Sequence, residues 1–176
     1  MKKIALLAGL SLAILISNNS NAQQDKSKRA STPAKVSQKI SSGASISIDY
    51  SQPALKGRTI GKDVEPMMGK VWRMGANEAT VFETDRDVLV EGKPLPAGKY
   101  SLFGLWGDDG YTLIFNKAWN IWGTAYDQNK DKDVLRVKVS PLVTTTAPVE
   151  RLVYTIDPSG ETQMRWGNLV INFYVK

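Results

Sequence analysis

Hydrophobic residues in this chain recur at every second position, and nowhere do they hold a three-to-four spacing for the length of a helix. In 44–50, Ile46, Ile48 and Tyr50 share one face, and Ser45, Ser47 and Asp49 take the other. In 99–106, Tyr100, Leu102 and Trp106 oppose Phe103 and Leu105, so both faces are apolar, as in a central strand. Residues 79–85, 88–91, 111–115, 134–139, 152–157 and 168–175 read as further strands. Gly107-Asp108-Asp109-Gly110 supplies a tight hairpin turn. Pro94-Leu95-Pro96-Ala97-Gly98 and Asp157-Pro158-Ser159-Gly160 punctuate the rest. About eight short strands at this spacing predict an all-β fold, an antiparallel β-sandwich or jelly-roll-like arrangement. Two long stretches, 51–75 and 116–133, do not alternate; they are expected to be loops with short helical turns.

The N-terminus is organised differently. Lys2 and Lys3 precede an uncharged run from Ile4 to Ile16, shorter than the ~20 residues a membrane span needs. Ser20 and Ala22 then stand where a signal peptidase reads small residues. Residues 1–22 are therefore expected to be a cleaved signal peptide, which makes the protein exported, periplasmic or secreted. The formal charge of +6 does not imply nucleic-acid binding. Lys2, Lys3, Lys26, Lys28, Arg29, Lys35 and Lys39 precede Ser41 against Asp25 alone, and the remainder is balanced. Residues 23–40, basic and without an aromatic, read as a flexible leader, and 41–176 as a single β-sandwich domain. All aromatics lie at or beyond Tyr50.

The chain has neither Cys nor His. That excludes disulfides, thiol nucleophiles, thiolate or imidazole zinc sites, and the Ser-His-Asp triad. No cofactor motif is present.

Several long runs carry a resemblance. They are ISIDYSQPALKGRTIG (46–61), GKVWRMGANEATVFET (69–84), LPAGKYSLFGL (95–105), LIFNKAWNIWGTAYD (113–127) and DVLRVKV (133–139). Together they resemble the family called domain of unknown function 2911 over roughly 37–175. Matching positions include Tyr50, Pro53, Gly57, Arg58, Trp72, Arg73, Gly75, Asn77, Glu78, Asn116, Trp122, Gly123 and Asp133. Gln52 departs from the pattern, which typically reads Arg there. The resemblance implies an exported bacterial protein and no particular activity, because the family has none established.

Three constellations are candidates for chemistry. Arg58, Arg73, Asn77 and Glu78, with Trp72, place two guanidinium forks in Gly-containing segments. They suit either an anionic ligand or an internal salt bridge from Arg58 or Arg73 to Glu78. Asn116, Trp119, Trp122 and Tyr126 interleave aromatic and amide groups, as in a sugar-stacking surface or as in a lid over the open end of a sandwich. Trp119 reads as the exposed ring and Trp122, beside Gly123, as a packed corner. Asp127, Asn129, Asp131 and Asp133 fall at calcium-loop positions, but Lys132 and Lys138 replace the required Gly and Glu. The expectation is a non-catalytic binding module for a small polar, anionic or carbohydrate ligand. The alternatives are a structural or protein-interaction component of the envelope and a carboxylate-based hydrolase or lyase. Oligomeric state is not encoded legibly.

Overall fold

The computed structural model describes residues 26–176, so the signal-peptide reading falls outside the described residues. Two antiparallel sheets face each other and do not close into a barrel. The larger sheet is ordered β1 (Thr32–Lys39), β2 (Ser45–Gln52), β4 (Thr80–Thr84), β7 (Gly98–Gly107), β8 (Gly110–Asn116) and β9 (Asp133–Val139). The short β3 (Val71–Trp72) pairs with the far end of β7. The smaller sheet is ordered β10 (Leu142–Val143), β13 (Leu169–Tyr174), β12 (Glu161–Gly167) and β11 (Val149–Ile156). A hairpin of β5 (Val88–Val90) and β6 (Lys93–Leu95) hangs on the C-terminus through paired Leu89 and Lys176 backbone bonds. Past β2, Pro53 and Leu55 cross over to bond Leu152 and Glu150, which ties the two sheets along one edge.

The sandwich expected from period-two alternation is what forms, with corrections. Residues 32–39 are not a flexible leader. They pair with β2 along its full length, from Thr32 opposite Gln52 to Lys39 opposite Ser45. Ala34 and Val36 pack on the main core, while Lys35 reaches Asp49 on the outer side at 2.8 Å. An edge strand needs only one modest apolar face, which is why its composition resembles a tail. The fold thus begins before residue 41. Glu161–Gly167, read as part of no strand, is a central strand of the small sheet, with Thr162, Met164 and Trp166 buried. Pro94 and Leu95, read as turn, belong to β6, and the turn follows them.

The core between the sheets is aromatic-rich. Phe115 meets Phe82 and Phe173 edge to face, with centroids 5.3 and 6.3 Å apart, a favoured geometry for ring quadrupoles, and Phe82 lies tilted to Phe173 at 6.5 Å. Trp72 stacks on Trp166 across the layer at 5.8 Å. The Met74 carbonyl, deep between the sheets, accepts hydrogen bonds from Tyr154 Oη at 2.8 Å and Thr80 Oγ1 at 3.1 Å. Tyr111 Oη points at Met74 Sδ from 3.1 Å. Gly104 lets the Tyr111 ring lie directly on its backbone, where a Cβ would collide with the phenol.

A second apolar cluster sits on the outer face of the large sheet. Phe103 and Ile114 are covered there by Ala79, Tyr126 and Ile121. The 116–133 segment is therefore a lid over that outer face, not over an open end of the sandwich. Because Tyr111 is fully buried, Gly104→Ala should lower the unfolding free energy by about 1–3 kcal/mol through overpacking. Tyr154→Phe, which leaves the Met74 carbonyl its bond from Thr80, should cost about 1 kcal/mol. Urea denaturation of both variants orders the two effects.

Candidate functional site

The polar residues of the first constellation are divided by the fold. Trp72 is core: its Nε1 donates to the Gly75 carbonyl at 3.0 Å and its ring is 2% exposed. Met74 turns inward in a left-handed conformation, φ 54°, and Asn77 repeats that conformation at φ 60°. Between and beyond them Arg73, Asn77 and Glu78 emerge on the outer side. Arg58 is elsewhere. Its Nε and Nη2 donate to the Leu55 and Ala54 carbonyls at 2.9 and 2.7 Å, beside a different groove.

Neither Arg58 nor Arg73 pairs with Glu78, so the internal salt bridge offered as one reading of these residues does not form with either arginine. The partners come from the basic N-terminal segment. Arg29 Nη1 donates to both Glu78 oxygens at 2.9 and 2.8 Å, and Lys26 Nζ lies 3.1 Å from Oε1. Burial opposes the charge on Glu78. The bonds from Arg29, from its own backbone N–H and from Lys26 outweigh that penalty and hold its pKa down to about 2. The Asn77 amide donates to the Ser31 carbonyl at 3.2 Å, a second tie on the same segment.

Arg73 has a different role. Its aliphatic stem lies against Gly123, where any Cβ would overlap it, and Gly123 N–H donates to the Asn77 carbonyl at 3.1 Å. Burial pushes the guanidinium pKa down and nearby Glu65 pushes it back up, and buried Nε has no hydrogen-bond partner among the described residues. The stem thus joins the two long loops by packing.

The second constellation also divides. Asn116 is fully buried and directs the loop: its Oδ1 accepts from Ala118 N at 2.8 Å, and its Nδ2 donates to Asn129 O and Asp133 Oδ1, both at 2.7 Å. Tyr126 is buried on Phe103, donates to Asp133 Oδ2 at 2.8 Å and accepts from Arg136 at 2.6 Å. Burial, then the bond to Asp133, push its phenol pKa up. Neither residue offers a ligand surface. Trp119 is 43% exposed, as expected; Trp122, expected to be a packed corner, is 51% exposed. The corner is Gly123, which leaves the indole of Trp122 outside.

The calcium-loop reading is not supported by the geometry. Asp133 is occupied by Asn116, Tyr126 and Arg136, and Asn129 Oδ1 accepts from Lys132. Among the described residues no three metal-ligating side chains converge.

What remains is a cleft of about 300 Å³ on the outer face of the large sheet. Trp119, Asn120 and Ile121 form one wall, and Asp49, Ser51 and Val81 the floor. Lys99, Glu78 and Lys26 close it. Lys99 Nζ lies 5.1 Å from the Trp119 ring centroid, a cation–π distance. Asp49, Ser51, Lys99 and Lys26 are not among the ligand-binding residues expected from sequence. Strand parity was the available signal, since Lys99 shares the face of Phe103, and Asp49 and Ser51 the face of Ser47.

Fold and cleft define an all-β sandwich with a small polar recess on one sheet, lacking the residues of the common catalytic triads. The chain belongs to the family described as Protein of unknown function (DUF2911), whose model matches residues 31–175. No curated protein and no solved structure matches the chain.

Two outcomes follow. Glu78 has a folded pKa below its ordinary value of 4.5, so its stabilising contribution is complete above pH 4.5 and disappears as pH falls toward about 2. Denaturation at pH 6, 4 and 2.5 should show a steeper loss for the parent than for Glu78→Gln. Arg73→Met keeps a stem on Gly123 and removes a desolvated charge that has no ion-pair partner among the described residues. Its stability should stay within about 1 kcal/mol of the parent or exceed it.

Proposed function

We propose that the protein is an exported binding module that takes a neutral, hydroxyl-rich ligand of the carbohydrate class in the cleft beside Trp119. The observation that carries the reading is an exposed indole, 43% accessible, at the wall of a recess where Asp49, Ser51, Glu78, Lys99 and Asn120 alternate with apolar groups such as Val81 and Ile121. Pyranose C–H groups stack on an indole face, while ring hydroxyls need flanking donors and acceptors. Ser51, Asn120 and Asp49 supply these.

The ionic pairing favours a neutral ligand over an anion. Each charged side chain in the cleft already has a counter-ion. Asp49 holds Lys35 at 2.8 Å, Glu78 holds Lys26 at 3.1 Å, and Lys99 holds Glu83 at 3.4 Å. An anion would have to break one of these pairs; a sugar hydroxyl can join them. The Trp119 backbone is also fixed in advance. Ser101 Oγ donates to the Ala118 carbonyl at 2.7 Å, and Asn116 holds the Ala118 N–H, so little ordering cost falls on binding. Export is part of this proposal and rests on residues 1–22, with cleavage near Ala22.

Intrinsic fluorescence and calorimetry on the protein, with a panel of neutral oligosaccharides and matching uronic acids, test it. A neutral saccharide should bind and raise Tm. Trp119→Ala should abolish that binding, whereas Trp122→Ala, exposed but outside the cleft, should keep it. Failure of every neutral saccharide, or binding that survives Trp119→Ala, overturns the reading.

A further inference from the structure

A second cavity, of about 490 Å³, shares no lining residue with the cleft beside Trp119. It opens between the first long loop, the end of β7 and the β12–β13 turn. Leu55, Ile60, Met68, Trp106, Val143 and Leu169 line it. Met68 is 59% and Val143 76% exposed, so the groove holds apolar surface in contact with water. Arg58 is the one charged residue of its lining among the described residues.

The state of Arg58 makes the groove more than an apolar depression. Its Nε and Nη2 are anchored on the Leu55 and Ala54 carbonyls, which fixes the plane of the guanidinium. No carboxylate among the described residues forms an ion pair with it. The Nη1 and Nη2 edge retains free N–H groups, the edge that an end-on carboxylate grips with two bonds. A single fixed cation at an apolar groove, with no internal counter-ion, is complementary to a molecule with one anionic head and a hydrocarbon tail.

We propose that this groove binds a free medium-chain fatty acid, its carboxylate on Arg58 and its chain along Ile60, Trp106 and Leu169. The tail removes apolar lining from water, and the head supplies the counter-ion that the fold leaves out. This site stands apart from the saccharide reading, because no residue serves both.

Calorimetry with monomeric dodecanoate tests it, run on the protein below the micellar concentration, with dodecanol and dodecyltrimethylammonium as head-group controls. Dodecanoate should bind one per chain. Dodecanol should bind about 10-fold or more weakly, and the cationic amphiphile should not bind. Arg58→Gln should weaken dodecanoate to the level of dodecanol while leaving dodecanol unchanged. Val143→Asp, on an exposed side chain that the fold does not need, should weaken dodecanoate as well. No dodecanoate binding, equal binding of the three amphiphiles, or an undiminished Arg58→Gln variant overturns the proposal. Binding to vesicles carrying anionic lipid without binding of monomeric dodecanoate also overturns it, in favour of a membrane surface.

Discussion

The Met74 carbonyl holds the two sheets in register, and much of the molecule is arranged around it. It receives Tyr154 from the small sheet and Thr80 from the large one. A carbonyl in this position would be costly to leave unpaired, so the bonds fix the separation and offset of the layers. Met74 reaches it only by adopting a left-handed backbone. Trp72 reinforces the same segment from β3, stacking on Trp166 and bonding Gly75. With residues 72 and 74 committed to the interior, parity and the second left-handed turn at Asn77 leave Arg73 and Glu78 outside. The cleft on the outer face thus follows from how the interior is closed.

The outer face is shaped by electrostatic pairing carried out at a distance in sequence. Glu78 is neutralised by a segment about fifty residues upstream, and Asp49 by the strand that segment leads into. Exposed pairs of this kind contribute little individually to stability. Here their effect is on chemistry: they remove net charge from the recess and leave directional donors and acceptors. Arg58 is the contrast. Bound only to carbonyls, it keeps its charge available.

The sheets were legible where alternation used β-branched and aromatic residues, as in Ile46, Ile48 and Tyr50 or Leu169, Ile171 and Phe173. They were hidden where one face was filled by small or polar groups. Thr32–Lys39 alternates Ala34 and Val36 with lysines, and its charge made it look solvated. Glu161–Gly167 buries Thr162, Met164 and Trp166 between Gln163 and Arg165, a pattern diluted by long polar side chains. The site was less legible than the fold. Trp119 could be read as exposed because it lies among polar residues in a non-alternating stretch. The fates of Trp122 and Tyr126 could not, because both depend on how the lid descends onto Phe103 and Ile114. The partner of Glu78 could not be read either, since a basic N-terminal run gives no sign of which carboxylate it will meet.

The two recesses differ in the way their origins require. The cleft beside Trp119 lies over the middle of a sheet, where strand parity delivers alternate polar side chains and the neighbouring strands deliver their counter-ions. It is small, ionically satisfied and suited to hydrogen bonding. The groove beside Arg58 lies where the sandwich ends, and the first loop must cross from β2 toward β3 over exposed core edges. Apolar residues such as Leu55 and Ile60 turn toward those edges because β12 and β13 end there, in the turn between Gly167 and Leu169. A groove made this way inherits the chemistry of the core, so its apolar lining is a by-product of closure. A fixed, uncompensated cation is not. Carbonyl anchors hold Arg58 at an edge where a loop residue would otherwise be free to extend into solvent, and that arrangement gives the groove a polarity of its own.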